Sequence, residues 1–273
     1  MKWFKSLVKY FSAGEIALWG CSVVLIVASF CIFDRANYLM LAASLVGVTS
    51  LIFNAKGNPV GQVLMIVFSL FYGYISFVFT YYGEMITYVC MSMPMAVFAL
   101  VSWLKNPYKG NRAEVKVNRL KKGEPVFMWL ATAVVTVIFY FVLKAFDTKN
   151  IIPSTISVTT SFLAVYLTFR RNPFYAVGYA ANDGVLIVLW TLAAIENISY
   201  ISVAVCFAAF LANDIYGFIN WRRIEKRQTA NECNEIIPHR SIFFQGFPFL
   251  HNGLKLCNRF LAGLLRLPHE PTQ

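Results

Sequence analysis

Histidine is missing from the apolar body of this chain: His239, His251 and His269 all lie near the C-terminus. That removes the most common acid–base group and metal ligand from any buried site. There is no Gly-rich phosphate loop, nucleophile elbow or Walker motif, which argues against an ATP-driven pump within this chain. Cysteine brings no framework either. Cys21, Cys31, Cys90, Cys206, Cys233 and Cys257 stand singly, without a CxxC pair or metal-ligand spacing, and read as small hydrophobes. No catalytic residue, no metal site and no cofactor is expected. Charge is scarce as well: Asp, Glu, Lys and Arg make up 14% of the residues, against about 25% in a soluble domain. A solvent that does not demand charge accounts for the shortfall, and lipid is that solvent.

What fills the chain instead is hydrophobic, 58% of residues, with a mean hydropathy of +0.60. Eight apolar segments run roughly over 15–33, 37–55, 60–82, 86–104, 126–146, 151–169, 173–194 and 199–221. Each is near the ~20 residues a helix needs to cross the hydrocarbon. Strands are not expected, because backbone in lipid must satisfy its own hydrogen bonds and no barrel alternation is present. Lys2, Lys5 and Lys9 lead into the first segment without a polar mature domain behind it, so it reads as a retained span rather than a signal peptide.

The net charge of +11 is distributed by side rather than spread for nucleic acid. If the spans alternate, Lys2, Lys5, Lys9, Lys56, the basic loop 105–124, Arg170, Arg171 and the basic residues after Trp221 share one side. Only Arg35, Lys144 and Lys149 fall on the other. That bias predicts both termini in the cytoplasm and an even number of spans.

An internal repeat is visible. Asn58-Pro59 opens the third segment and Asn172-Pro173 the seventh, each after a basic turn; Trp103 and Trp221 close the fourth and eighth before further basic residues. The second to fourth segments therefore match the sixth to eighth, and the odd fifth returns the chain so that both triplets enter in the same orientation. The expected fold is all-α and polytopic: two parallel three-helix bundles joined by a linker helix, with one extra N-terminal helix. The expected boundaries are 1–36 for that first helix, 37–105 for the first bundle, and 106–149 for the basic loop and linker helix. The second bundle covers 150–225. The tail, 226–273, includes a candidate amphipathic surface helix within 242–267.

Polar side chains are costly in a membrane and mark candidate sites. The seventh segment carries Tyr175, Tyr179 and Asn182 on one helix face, with Asp183 beside them and Trp190 two turns on. The eighth carries Asn213, Tyr216, Gly217 and Asn220 on one face, with Asp214 adjacent; the third adds Ser69 and Tyr72. Asn side chains match amides and hydroxyls, aromatic faces stack planar rings and attract cations, and two Asp residues favour positive charge. The set points to a neutral or cationic, ring-containing, hydroxylated solute. The bland alternative is that Asn and Tyr bond helices together.

The stretch Leu211-Ala-Asn-Asp-Ile-Tyr-Gly-Phe-Ile-Asn-Trp221, followed by Arg222-Arg223, resembles the last helix of the PnuC family of vitamin transporters. Trp103-Leu-Lys-Asn-Pro-Tyr108 and Glu114-Val-Lys-Val117 resemble that family's basic loop. The resemblance covers about residues 37–228. It implies a SWEET-like fold in a bacterial inner membrane and facilitated diffusion of nicotinamide riboside, trapped afterwards by a separate cytoplasmic kinase. It also implies a homo-oligomer, a trimer. Family members that place two tryptophans early in the seventh helix differ from this chain, which has Pro173, Phe174, Tyr175 and Gly178 there. Trp190, Tyr175 and Tyr179 are the eligible ring-stacking residues. Thiamine and riboflavin relatives share the fold, and a receptor that binds without transport would use the same site.

Overall fold

The structure, a computed structural model, describes residues 10–78, 82–148 and 150–243, with side chains to 234. Eight helices in it are long and apolar enough to span a membrane. They are α1 (Ala13–Phe33), α2 (Tyr38–Ala55), α3 (Val60–Val78), α4 (Tyr82–Lys105), α5 (Glu124–Ala145), α6 (Ile151–Phe169), α7 (Tyr175–Glu196) and α8 (Ile201–Phe243). This is the polytopic all-α architecture that the apolar runs predict. The helix of the last span continues through the polar residues after Trp221 to Phe243. Most of the expected surface helix at 242–267 lies outside the described residues.

One feature departs from expectation. The loop after α4 folds into a small antiparallel hairpin, β1 (Pro107–Tyr108) and β2 (Asn111–Val115). Its turn residues, Lys109 and Gly110, have φ of 49° and 79°, the left-handed pair that two-residue hairpin turns require. The argument against strands concerns backbone in lipid. This basic loop lies beyond the apolar helices, where water can satisfy an open edge.

The two triplets are tied together at the end that carries this loop. Asn58 and Asn172 each accept a backbone N–H two residues on, from Val60 and Phe174, both at 3.0 Å, which starts α3 and α7 in the same way. Trp221, closing the second triplet, donates its indole N–H to the Asn54 carbonyl of α2 at 2.7 Å. Trp103, closing the first, donates to the Thr168 carbonyl of α6 at 2.9 Å. Asn54 and Thr168 hold the same place, four residues before each Asn. Each triplet is therefore latched by the other, with the two indoles 5.4 Å apart between them. The loop adds two further ties: the Val115 N–H donates to Gly57 O at 2.9 Å and the Asn118 N–H to Arg171 O at 3.0 Å.

The helices outside the triplets follow the same rule. α1 packs on α2, and α5 on α6. Glu15, held in a capping box with Ser12 at the start of α1, pairs with Lys56 at 3.0 Å. Glu124, at the start of α5, accepts from Arg170 Nη2 at 2.9 Å. The helix in front of the repeat thus has a local counterpart in the linker helix. α5 presents Phe127, Trp129, Leu130, Val134 and Phe141 outward, as a helix facing lipid should.

Between the spans, Burial, then the neighbouring Arg170, holds the Arg171 guanidinium below the usual arginine range. Burial pushes the Tyr10 hydroxyl up, against the hydrogen bond it accepts from Asn58 at 3.1 Å.

Candidate functional site

α3, α4, α6, α7 and α8 bring their polar and aromatic side chains together in two storeys. The lower one is acidic. Asp183 on α7 and Asp214 on α8 are both buried, with their carboxyl groups close enough to act on each other electrostatically. Counted along the helices from Tyr175 and from Trp221, they sit about 12 and 10 Å inside the bundle, so the two acids share a depth. Asp183 Oδ2 has no partner among the described residues. Two like charges so close at such burial are costly unless a proton or a cation accompanies them. Beside them, the Asn182 Oδ1 accepts from Ser157 Oγ at 3.0 Å and Thr160 Oγ1 at 3.1 Å, which fixes the orientation of its amide. Below, Tyr175 lies edge-on to Trp221 at 5.0 Å and to Tyr179 at 6.1 Å. Gly217 lies beside the Tyr175 hydroxyl, where a Cβ would make an ordinary contact at 3.6 Å.

The upper storey is aromatic. Tyr72 of α3 and Tyr88 of α4 have ring centroids 4.4 Å apart, with Trp190 edge-on to Tyr72 at 6.4 Å and Phe207 at 6.0 Å. Tyr200 packs on the far side of Trp190 at 5.4 Å. Ser69 and Ser76, one turn to either side of Tyr72, are buried with hydroxyls that find no partner among the described residues. Buried polar groups are ordinarily hydrogen-bonded. Several orphaned together in a transmembrane bundle are what a polar solute would satisfy.

Tyr88 went unread in the sequence. It lies in Thr87–Ser92, a π-helical turn within α4, where the Met93 N–H donates to Tyr88 O instead of following the α-helical ladder. The cause is next door: Pro94 has no N–H to give Cys90, and the ladder slips by one residue. The slip turns the part of α4 that follows Tyr88 relative to the turn that precedes it. Pro94 in an apolar run was the available signal.

Three other candidates are committed elsewhere. The Tyr216 hydroxyl donates to Glu15 Oε1 at 2.8 Å, and Asn220 Nδ2 donates to the Ala55 carbonyl at 2.8 Å. Asn213 turns its amide to Ser22 Oγ on α1 at 2.9 Å and to the Ala209 carbonyl at 2.8 Å, leaving Oδ1 without a partner among the described residues. Their shared face packs on α1 and α2, so they hold helices together. Asp214, on another face of α8, is the residue that meets α7. Ser69, Tyr72, Tyr179, Asn182, Asp183, Trp190 and Asp214 remain as the gathered set, with Tyr175 at its base.

Comparison with known proteins bears on the fold and the family. A solved structure titled the crystal structure of the vitamin B3 transporter PnuC superimposes with a TM-score of 0.69. It covers 80% of this chain and 94% of its own at 21% identity, which shows a common fold. The nicotinamide riboside transporter PnuC of Neisseria mucosa is 24% identical over 219 residues, 78% of this chain and 83% of that protein. The family described as nicotinamide mononucleotide transporter matches residues 37–223, from the start of α2 to just past Trp221. With that much of the chain matched, this multi-pass membrane protein belongs to the nicotinamide mononucleotide transporter family.

Proposed function

We propose that the chain carries nicotinamide riboside, rather than the mononucleotide of the family description, across a bacterial inner membrane by facilitated diffusion. One observation carries the choice: every buried charged residue among those described is acidic, namely Glu15, Asp34, Glu84, Asp183, Asp214 and Glu225. A phosphate inside the bundle would need an Arg, a Lys or a helix N-terminus. A cationic pyridinium needs carboxylates and aromatic faces, which the site offers. In this reading Tyr72, Tyr88 and Trp190 stack the ring. Asn182 and Ser69 meet the carboxamide and hydroxyls, and Asp183 with Asp214 balances the charge. A cytoplasmic kinase, by phosphorylating the riboside, turns passive equilibration into net uptake. The basic-loop end faces the cytoplasm together with both termini, and the apolar outer faces sit in lipid, in a homo-oligomer taken to be a trimer.

The test is uptake by purified protein in liposomes. Labelled nicotinamide riboside is expected to equilibrate without ATP and without an imposed proton gradient, with unlabelled riboside competing and the mononucleotide, thiamine and riboflavin competing poorly. Saturable binding without flux would make the protein a receptor. Folded protein that neither binds nor moves the riboside would overturn the reading.

A further inference from the structure

Glu84 is a buried carboxylate that none of the framework ties or site contacts above employs. It sits in the first turn of α4, at the end of the bundle opposite the basic loop, and is 3% exposed. Among the described residues its Oε2 has no hydrogen-bond partner, and no Lys or Arg pairs with it. The acid at the matching turn between α7 and α8, Glu196, is exposed. The start of α4 packs against α5, and Gly83 lies so close to the side-chain ends of Leu143 and Thr148 that a Cβ there would make them shift. That packing draws Glu84 inside. Glu84 also precedes Tyr88 by one helical turn, on the same face, and is close enough to Tyr72 and Tyr88 to act on both electrostatically.

We infer that Glu84 is the charge-selecting residue of the substrate path, a carboxylate poised over the Tyr72–Tyr88 pair to meet the positive ring of a pyridinium nucleoside at this end of the bundle. The inference rests on the function proposed above and adds a residue to it. Aromatic faces alone accept neutral and cationic rings alike, so stacking cannot supply the choice between them. A buried carboxylate can. It is costly while unpaired and is relieved by a cation brought to it, and the same charge repels a phosphate arriving from this side. The carboxyl pair of α7 and α8 lies deeper, toward the basic loop. Glu84 therefore discriminates at one mouth of the path while the pair balances charge within it.

The experiment compares two substrates that differ in ring charge: nicotinamide riboside, whose ring is cationic, and its dihydro form, whose ring is neutral. Binding and liposome uptake of both are measured for the wild type, Glu84→Gln and Glu84→Asp. Glu84→Gln is expected to weaken binding of the cationic riboside about tenfold while changing the dihydro form by less than about twofold. Glu84→Asp, which keeps the charge, should preserve most of the preference. Equal losses for both substrates, or an unchanged ratio in folded Glu84→Gln protein, would overturn the role of Glu84 and leave the substrate class standing. Wild-type protein that binds neither compound would overturn the substrate class itself. If Glu84→Gln does not fold, the ratio in Glu84→Asp decides: a preference indistinguishable from that of a neutral site overturns the inference.

Discussion

The two halves of the molecule, α1–α4 and α5–α8, share a frame and divide the chemistry. The frame matches position by position: Glu15 with Lys56 against Glu124 with Arg170, Asn58 against Asn172, and the indole of each terminal Trp on a carbonyl of the other half. Inside that frame the correspondence ends. Counting from the two Asn caps, Ser69 stands where Asp183 does, Tyr72 where Leu186 does, and Ser76 where Trp190 does. Counting back from the two Trp residues, Ala96 stands where Asp214 does. The second half supplies both carboxylates of the lower storey and the first supplies the tyrosine pair of the upper. The ends of the helices thus keep what closure of the bundle requires, and their middles are free to differ. A solute with a charged ring on one side and hydroxyls on the other has no two-fold axis, and a symmetric site would serve it poorly.

The largest effect should come from erasing that difference. Asp214→Ala gives α8 the residue that α4 carries at the matching place, and Asp183→Ser does the same for α7. Each is expected to lower riboside uptake about tenfold or more, since a charge-balancing group in a dry site is lost. Ser69→Ala, which touches the same place in the first half, should cost about threefold or less, the value of one neutral hydrogen bond. Initial uptake rates in liposomes, normalised to folded protein, check the order. Equal losses in the two halves would mean that they share the substrate evenly.

Much of this was legible before any coordinates, and the reason is the solvent. Lipid demands runs of about twenty apolar residues and punishes interior charge, so spans, repeat and acidic residues stand out in the sequence. What stayed hidden depends on which way a polar residue faces. Tyr216 and Asn220 share a face of α8 with Asn213 and read like a site. Only the packing of α1 and α2 against that face reveals that their donors are spent on Glu15 and on Ala55 O. Glu84 and Tyr88 were missed for the opposite reason. An acid at a helix end looks like a solvated turn until the start of α4 is seen to pack against α5 and bury it. A tyrosine in an apolar run looks like core until it is seen in a π-turn, packed on Tyr72. The kinship of α1 and α5 rests on ion pairs between residues 41 and 46 positions apart, a separation that no local pattern displays.

A middle-sized effect tests the shared frame. Trp103→Phe and Trp221→Phe keep most of the buried ring and remove the indole N–H, while the carbonyls of Thr168 and Asn54 keep the backbone N–H of Arg171 and of Gly57. Each should destabilise the protein by about 1–3 kcal/mol, the net value of one hydrogen bond together with the space left by the smaller ring, read as a lower midpoint of thermal unfolding in detergent. The two values should agree to within about 1 kcal/mol. The wild-type indoles touch each other, so the double variant should fall short of or exceed the sum rather than match it. Clearly unequal single effects would show that one half carries the closure and the other follows.

The smallest effect concerns the one place where the frame itself is unequal. The turns before the two Asn caps require a residue with positive φ; the first half uses Gly57 at 68° and the second uses Arg171 at 56°. A side chain in the left-handed region costs about 1 kcal/mol relative to glycine. At Gly57 a Cβ would also press on Val115 of the hairpin at 3.3 Å. Gly57→Ala should therefore lower stability by about 1–2 kcal/mol, and Arg171→Gly should raise it by up to about 1 kcal/mol. The second gain is offset in part because glycine also loosens the unfolded chain. If Arg171→Gly instead destabilises the protein, the guanidinium is holding something that its strained backbone does not reveal, and the second half has kept the strain for that contact.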